Sequence, residues 1–346
     1  MAKVISTLDK SALIKALLAS VLVILLVYFG SNNFRNLDTA LIPYLLGTII
    51  AIFGVTYRCS VWLQRPPTKM YWNRMWKLFI AHPGSFIRLL VRNLLFQKFI
   101  YARGKNRWIG HLLISVGCVI AFCVTIPLTF GWFTFVLKPG SMTTYETHLF
   151  GFNVLSFQLG SLLAFLLFHI LVFCSLFVII GVIVMLIRRL TEVGVMAVQT
   201  FEDDLLPLLL LLAVAVTGLG IAFDYMFLDG KIHQFMAVTH AVTVIAFLAW
   251  IPYSKFFHII MRPLQLSVNI YKEVGEKEGM AVCPHTQEEF APQMQINDLK
   301  GVTSELGFDF TLDSSGNHLD YSPEGKRSLL AKAHLKAREE AGSYFG

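Results

Sequence analysis

The chain has 346 residues, of which 55% are hydrophobic and only 15% are charged, and its formal net charge is +7. A soluble protein would carry about a quarter charged residues, so the composition excludes an ordinary soluble globular protein. In a membrane protein, a basic balance favours anionic lipid or an acidic partner, and we expect no nucleic acid among its partners.

Six apolar segments are long enough to cross a bilayer as helices. They cover residues 11–30, 39–63, 108–137, 153–187, 205–224 and 234–261. The first has a basic start like that of a signal peptide, but its apolar run is too long and a convincing cleavage site is lacking. We interpret residues 1–38 as an extra transmembrane anchor and residues 39–262 as the main bundle. The sequence therefore predicts an all-α, polytopic membrane helical bundle.

The segment 64–107 contains ten Lys and Arg residues and no Asp or Glu. Basic loops stay on the cytoplasmic side of a membrane, and Arg188, Arg189 and Arg262 end helices on the same side. We therefore expect this side, together with both chain termini, to be cytoplasmic. Aromatic residues are interleaved with the cations, which favours an interfacial helical loop that lies on lipid headgroups. Docking of a partner subunit is the alternative.

Residues 263–346 form a polar tail that is predicted to be cytoplasmic. Its last helix has a clear start, with Ser322 as N-cap and Pro323 in the first turn. Because the tail is too small and polar to form a large core alone, we expect it to cover or dock another protein.

The five cysteines are scattered and form neither C-x-x-C nor C-x-x-C-H. The chain therefore offers no iron–sulfur cluster of its own and no covalently attached c-type haem. Most of the cysteines are interpreted as buried apolar filler. Cys283 and His285 lack further potential ligands nearby in the sequence, so no metal is expected there.

Two histidines lie on the last predicted span, where an ionisable ring is costly and usually functional. His240 and His258 are 18 residues apart. Eighteen residues make five turns of a continuous helix, so both rings would lie on one face about 27 Å apart along the axis. Pro252 between them is able to kink such a helix.

Four histidines form two pairs when their depth is measured from the arginines at the basic ends of the spans. His111 and His258 lie near the cytoplasmic face, and His169 and His240 lie towards the outer face. Bis-histidine ligation of two b-type haems explains this arrangement. A zinc site would need three or four ligands at one depth. For any single histidine of this kind, packing or a place in a proton path is the ordinary interpretation.

The stretch "HAVTVIAFLAWIPYSKFFHIIMRPL" resembles the final helix of respiratory nitrate reductase gamma subunits. That helix carries a histidine, a Pro-aromatic-Ser-basic run, His-Ile and a later proline. Here these elements are His240, Pro252–Lys255, His258–Ile259 and Pro263. The segments "IPYLLGTIIAIFGVTYR", "NRWIGHLLISVG" and "GVIVMLIRRL" also look like parts of the family, and the resemblance covers roughly residues 40–270.

The resemblance implies a membrane cytochrome b with two haems, which exchanges electrons between a quinone and a cytoplasmic iron–sulfur subunit. It assigns His111, His240 and His258 as haem ligands. The remaining ligand of the family would fall at Ala121, and His169 is the well-placed replacement. This departure, the first helix and the tail make the chain look closer to the cytochromes b of heterodisulfide-reductase-like and sulfite-reduction-associated complexes.

We therefore expect a quinone-reactive dihaem subunit of an oxidoreductase complex in a bacterial or archaeal cytoplasmic membrane, one that is not catalytic alone. Quinol would bind near the outer face, with Lys138 and Glu146 as candidate site residues. Electrons would leave to an iron–sulfur partner docked on the loop 64–107 and the tail. The reverse direction of electron flow uses the same parts.

Other polar residues near the two faces have two interpretations each. Arg103, Lys105 and Arg107 would pair with haem propionates or serve only the positive-inside rule. His148 and His233 would exchange protons at the outer rim or be ordinary surface residues. For the whole chain, a proton-coupled transporter with a histidine relay and a non-redox membrane anchor are the alternatives. The transporter would need broken helices or inverted repeats, and the sequence indicates neither.

Overall fold

The computed structural model describes residues 9–312 and 316–342 of the chain. Both termini, which were predicted to be cytoplasmic, lie outside these residues. The described part contains six helices that are long and apolar enough to cross a membrane. They cover Lys10–Gly30, Thr39–Leu63, Lys105–Thr129, Leu162–Thr191, Phe201–Phe227 and His233–Trp250. Since the structure is 73% helical, the predicted all-α polytopic bundle is confirmed.

Helices and strands are numbered in chain order. The helices are α1 (Lys10–Gly30), α2 (Ile42–Leu63), α3 (Pro66–Ala81), α4 (Pro83–Leu90), α5 (Lys98–Tyr101), α6 (Lys105–Thr129), α7 (Leu162–Thr191), α8 (Val193–Met196), α9 (Leu206–Phe227), α10 (His233–Trp250), α11 (His258–Glu278), α12 (Gln293–Glu305) and α13 (Pro323–Glu340). The strands are β1 (Phe133–Leu137), β2 (Thr144–Leu149), β3 (Phe152–Gln158), β4 (Met280–Val282) and β5 (Glu289–Pro292). Short π-helical turns cover Val91–Leu95 and Phe201–Leu205, and 3₁₀ turns cover Thr39–Leu41, Lys255–Phe257 and His318–Asp320.

The chain divides into two compact units. The first comprises residues 1–61 and 96–259, and the second comprises residues 62–95 and 260–346. The basic loop and the tail, which are far apart in the sequence, thus belong largely to one unit. The two segments were predicted to be separate, and their place in one unit was not predicted.

Helices α6 and α7 pack closely in the first unit because small residues lie between them. A Cβ atom placed on Gly181 would come within 2.7 Å of the Gly110 carbonyl oxygen. Small residues that let backbones approach are the usual basis of helix packing in lipid, where apolar burial gives little drive. The core of this unit joins α7, α9, α10 and the turn after it, through Val178, Val182, Leu211, Ala215, Phe247 and Phe256.

The last predicted span is not one helix. Helix α10 ends at Trp250, the 3₁₀ turn Lys255–Phe257 follows, and α11 begins at His258. Ile251 still has helical backbone, but Pro252 has no N–H group with which to continue the hydrogen bonding of α10, which accounts for the break. The freed Pro252 carbonyl accepts a hydrogen bond from Arg58 at 2.6 Å. The prediction that His240 and His258 share one continuous helical face was therefore wrong.

A three-stranded antiparallel sheet, in the order β1-β2-β3, follows α6. Strands β1 and β3 occupy ends of the predicted spans 108–137 and 153–187, so those two boundaries were wrong. Both strands are apolar enough to prolong a hydropathy run. Helix α6 ends before Gly131, whose positive φ of 65° is incompatible with a right-handed helix and favours glycine.

The two ends of the bundle differ in chemistry. Helix α6 begins at Lys105 at one end, where α7 finishes beside Arg188 and Arg189, and we call this the basic end. At the opposite end, α6 leads into β1 and β3 leads into α7, and we call this the sheet end.

The second unit has its own apolar core, formed by Leu78, Leu89, Leu266, Ile270, Tyr271 and Val274. Helices α3 and α12 are joined by ion pairs at their surface. Arg74 contacts Asp298 at 2.6 Å and Lys69 contacts Glu305 at 2.8 Å. The tail thus has a partner within its own chain, the segment 66–90, in addition to any partner subunit. As predicted, Ser322 caps the last helix by accepting a hydrogen bond from the Gly325 amide at 3.0 Å.

Candidate functional site

The rings of His111 and His258 lie together at the basic end. Their centres are 6.1 Å apart and their planes are inclined by 59°. His111 lies in the second turn of α6, and His258 is the first residue of α11. Two imidazoles that share one metal ion through bonds of about 2 Å have ring centres about 6 Å apart. The spacing of this pair therefore fits two histidines that would bind one metal ion.

Gln97 positions the ring of His111. Its Oε1 atom lies 2.7 Å from Nδ1 of His111, while its Nε2 atom donates to Ser115 Oγ at 2.6 Å. Because the Ser115 hydroxyl donates to the Leu112 carbonyl, the amide of Gln97 is oriented with its oxygen towards the histidine. The His111 proton therefore lies on Nδ1, and Nε2 carries the lone pair that a metal requires.

Gln97 was not predicted, and no signal in the sequence points to it. It is 14 residues from His111 and has the left-handed backbone conformation, with φ 49° and ψ 41°, just before α5. This conformation is uncommon for a residue other than glycine. It turns a buried amide of the basic loop towards the first turns of α6.

His258 is positioned by the turn that precedes it. Its Nδ1 atom donates to the carbonyl oxygen of Lys255, which only accepts, so the proton again lies on Nδ1. Ser254 supports the turn, since its hydroxyl accepts a hydrogen bond from the Phe256 amide at 3.1 Å. The break between α10 and α11 thus supplies the carbonyl that orients this ring.

His240 has a comparable partner at the sheet end. The hydroxyl of Thr217 donates to the Ala213 carbonyl at 2.7 Å, so its oxygen accepts from Nδ1 of His240 at 2.9 Å. The ring also packs against Gly218, where an added Cβ would lie 3.1 Å from Cε1 of His240. Helix α9 therefore fixes both the tautomer and the place of this ring.

His169 lies in the second turn of α7, also towards the sheet end. Its Nδ1 atom donates to the Phe165 carbonyl at 2.8 Å, and the two rings stack at 4.4 Å. Within residues 9–312 and 316–342, ring contact joins His111 to His258 but does not join His169 to His240. The predicted outer pair is therefore at the predicted end of the bundle without being in contact.

All four histidines share one chemical feature. Each donates from Nδ1 to an oxygen atom of the protein, which leaves the metal-binding lone pair on Nε2. Metal-bound histidines almost always donate their other ring nitrogen in this way. In the described part of the chain, no three His, Cys, Asp or Glu residues converge on a common point. The spacing of His111 and His258 thus fits a two-histidine site, such as haem iron takes, better than a three- or four-ligand ion site.

The candidate quinone-site residues lie on the sheet. Glu146 in β2 pairs with Val136 across the ladder, and its carboxylate is 3.6 Å from Nε2 of His148. The backbone N–H of Lys138, which follows β1, donates to the Thr144 carbonyl. Among the described contacts, the acidic partner of His148 is Glu146, and the Lys138 side chain is not brought to Glu146.

A buried carboxylate at the sheet end was not predicted. Asp224 in α9 is fully buried, and its Oδ1 atom accepts from the Ile232 amide at 3.1 Å. His233 Nδ1 is 3.9 Å from its other oxygen. The hydrogen bond to Ile232 closes the turn between α9 and α10 and brings His233 beside Asp224.

Cys283 differs from an apolar filler residue. It is fully buried in the second unit beside Ser322 and Gly325, at the start of α13. Burial raises the pKa of the Cys283 thiol, but hydrogen bonds from the side chains and backbone of Ser322 and Thr286 outweigh this effect. The net result is a pKa of about 6, below the ordinary value. All five cysteines are free thiols in the structure.

The chain is similar to subunits of one reductase. It is 29% identical over 198 residues to the E subunit of dihydromethanophenazine:CoB–CoM heterodisulfide reductase from Methanosarcina thermophila, covering 55% of this chain and 68% of that one. With the same protein of Methanosarcina barkeri it shares 29% identity over 208 residues, covering 58% and 73%. No family model matches the chain, and no solved structure does. The relatives agree with the predicted likeness to heterodisulfide-reductase-like subunits, and they do not single out nitrate reductase gamma.

Proposed function

We propose that this integral membrane protein is the dihaem cytochrome b subunit of an oxidoreductase complex, and that it passes electrons across the membrane. The observation that carries the proposal is the pair His111 and His258, with ring centres 6.1 Å apart. Support comes from the common Nδ1 hydrogen bonding of the four histidines. The similarity to subunits of a heterodisulfide reductase also supports a role in an oxidoreductase complex.

In this proposal, His111 and His258 hold one b-type haem at the basic end, and His169 and His240 hold a second at the sheet end. Haem iron, when bound, cycles between two oxidation states and carries one electron at a time. The protein contributes ligation, spacing and tuning. Gln97 and Thr217 hold the protons on Nδ1 of His111 and His240, and the carbonyls of Lys255 and Phe165 do so for the other two rings.

Quinol is the proposed electron donor, and it would bind at the sheet end, near Lys138 and Glu146. Its oxidation requires groups that accept protons. Glu146 and His148 lie 3.6 Å apart and are suited to that task as a pair. The relatives are named for dihydromethanophenazine, so a reduced lipid-soluble carrier of that general kind is the expected substrate class.

Electrons would leave from the basic end to a cytoplasmic iron–sulfur subunit. The proposed docking surfaces are the loop 64–107 and the C-terminal tail, and Arg103, Lys105 and Arg107 are available for haem propionates. The excess of cations at this end supports a cytoplasmic orientation through the positive-inside rule. The reverse path, from a cytoplasmic donor to quinone, would use the same groups.

Two other functions are compatible with the sequence alone. A proton-coupled transporter would need discontinuous helices near the middle of the membrane. The break at residues 251–257 follows α10 at the basic end, rather than interrupting it near its middle. A non-redox anchor leaves the shared tautomer of four intramembrane histidines without a role. Among the contacts of residues 9–312 and 316–342, none specifically favours either alternative.

The experiment that tests the proposal is a reduced-minus-oxidised absorption spectrum of membranes containing the complete complex, with haem extracted and counted per chain. We expect b-type bands and two haems. His111→Ala and His258→Ala should each remove the same one haem, and His82→Ala, in the basic loop, serves as the control. Absence of b-type bands, or loss of different haems in the two variants, would overturn the proposal.

A further inference from the structure

A buried carboxylate at the basic end holds two cations from different elements. Asp204 lies in the π-turn that leads into α9 and is 9% exposed. Its Oδ1 atom contacts Lys255 Nζ at 2.7 Å and Arg189 at 3.0 Å. Its Oδ2 atom accepts from the Thr200 amide at 3.1 Å. Both oxygens of the carboxylate are therefore fixed by the protein.

Lys255 connects this carboxylate to a candidate ligand. Its ammonium group is bound by Asp204, and its backbone carbonyl accepts the Nδ1–H of His258. One residue is thus held at its side chain and orients a ring through its main chain. The residues around it, 251–257, lie between α10 and α11 and lack a continuous helical ladder. The carbonyl also accepts the His258 backbone N–H within the 3₁₀ turn, and the side chain of Lys255 ties this turn to Asp204 at the start of α9.

We infer that Asp204 is a positioning residue for His258, acting through Lys255, and that it tunes the electron carrier at the basic end. The inference rests on the proposed function, since it presumes that His258 binds iron. The hydrogen bond at Nδ1 sets both the orientation and the basicity of a histidine ligand. Loss of the Asp204 carboxylate charge would release Lys255, move its carbonyl and weaken that hydrogen bond.

A purely structural ion pair is the competing explanation, because Asp204 also joins α7 to α9 through Arg189. The two explanations differ in what the electron carrier reports. If the ion pair is only structural, its loss would lower the stability of the protein and change the potentials and spectra of both haems equally. A positioning role would change the carrier at the basic end alone.

The test compares Asp204→Asn with Asp203→Asn in the complete complex. Asp203 is the adjacent carboxylate and is exposed, so the control makes the same change of charge one residue away. Haem content per chain reports haem affinity. Redox titration followed in the haem absorption bands, together with the low-spin electron paramagnetic resonance spectrum, reads the two haems separately. Partners that orient a metal ligand typically alter metal affinity ten- to a hundredfold. For a group acting through one further residue, we expect about a tenfold loss of haem affinity at the basic end.

Lys255→Met and Lys255→Arg test the same contact independently, in case Asp204→Asn fails to fold. Lys255→Met leaves the contact between Asp204 and Arg189 in place, and we expect it to shift the same single haem as Asp204→Asn. Lys255→Arg keeps a cation against Asp204 and should restore the original spectrum. The double variant Asp204→Asn/Lys255→Met should shift this haem no more than either single variant, because both substitutions break the same contact.

The outcomes separate the proposed function from the role of Asp204. If the unaltered complex contains no b-type haem, the proposed function fails and takes this inference with it. If both haems are present but Asp204→Asn and Asp203→Asn give the same potentials and spectra, only this inference is overturned. A shift confined to the haem ligated by His258 supports it.

Discussion

The side-chain oxygen of Gln97 lies 2.7 Å from Nδ1 of His111, in a hydrogen bond that joins the basic loop to α6. Replacing Gln97 by Leu removes the acceptor and leaves a ring N–H without this partner, at a cost of about 1–3 kcal/mol. We expect Gln97→Leu to weaken haem binding at the basic end by about tenfold or more. Haem content and the two-step redox titration measure this.

Gln97→Glu should act in the opposite sense on the ligand. A carboxylate accepts the Nδ1 proton more strongly than an amide and makes the imidazole a stronger donor to iron. We expect the potential of one haem to fall while its occupancy is retained. Gln287→Leu is a control for the Gln97→Leu substitution, because Gln287 also has a left-handed backbone, with φ 60°, and lies in the second unit. Equal effects of the variants at positions 97 and 287 would contradict the role of Gln97.

Thr217→Val tests the corresponding contact at the sheet end. The substitution keeps the shape of the side chain and removes the hydroxyl that accepts from His240. Because that ring nitrogen is then unsatisfied, we expect a destabilisation of about 1–3 kcal/mol and a shift in the potential of one haem only. Thr125→Val is the control, since Thr125 makes the same bond to the carbonyl four residues earlier but has no histidine partner among the described contacts. An identical response of both variants would rule the contact out.

Gly218→Ala tests the packing of the same ring without changing a hydrogen bond. The added methyl group would lie 3.1 Å from Cε1 of His240, so the ring must move by a few tenths of an ångström. We expect a change in the electron paramagnetic resonance spectrum of the haem at the sheet end. Gly220→Ala introduces an equally close contact, 3.1 Å from Sδ of Met236, where a flexible thioether adjusts. If Gly220→Ala perturbs the same haem as strongly, the ring of His240 is not the sensitive group.

The histidine pair at the basic end was predictable because distance from a terminal arginine reports depth in a membrane helix. That rule placed His111 and His258 at one level without any knowledge of the fold. It gave no information on Gln97, Thr217 or Asp204, whose roles depend on where a loop or a neighbouring helix brings an oxygen atom. The ligand pairing of His169 with His240 stays a prediction.

The predicted fold differs from the structure for specific physical reasons. Hydropathy alone does not distinguish a transmembrane helix from the apolar strands β1 and β3, so two spans were predicted too long. Pro252 indicated a kink, but the sequence did not tell a kink from the complete break that the structure has before His258. The pairing of Arg74 with Asp298 joins segments 224 residues apart, which no local pattern predicts.

Cys283 predicts a pH dependence in the second unit. Its pKa of about 6 in the folded chain is below the ordinary value of 9.0 for this thiol. Between these values the folded thiol is ionised and the unfolded one is protonated, so folding releases a proton and stability rises with pH. The contribution is complete above pH 9 and is lost as the pH falls from 9 to about 6.

Hydrogen exchange of the α13 amides, corrected for the intrinsic rate, measures the dependence of stability on pH in the intact chain. We expect Cys283→Ala to flatten it and Cys123→Ala, at an exposed cysteine, to leave it unchanged. A Cys283→Ala protein with the original slope would show that another group is responsible.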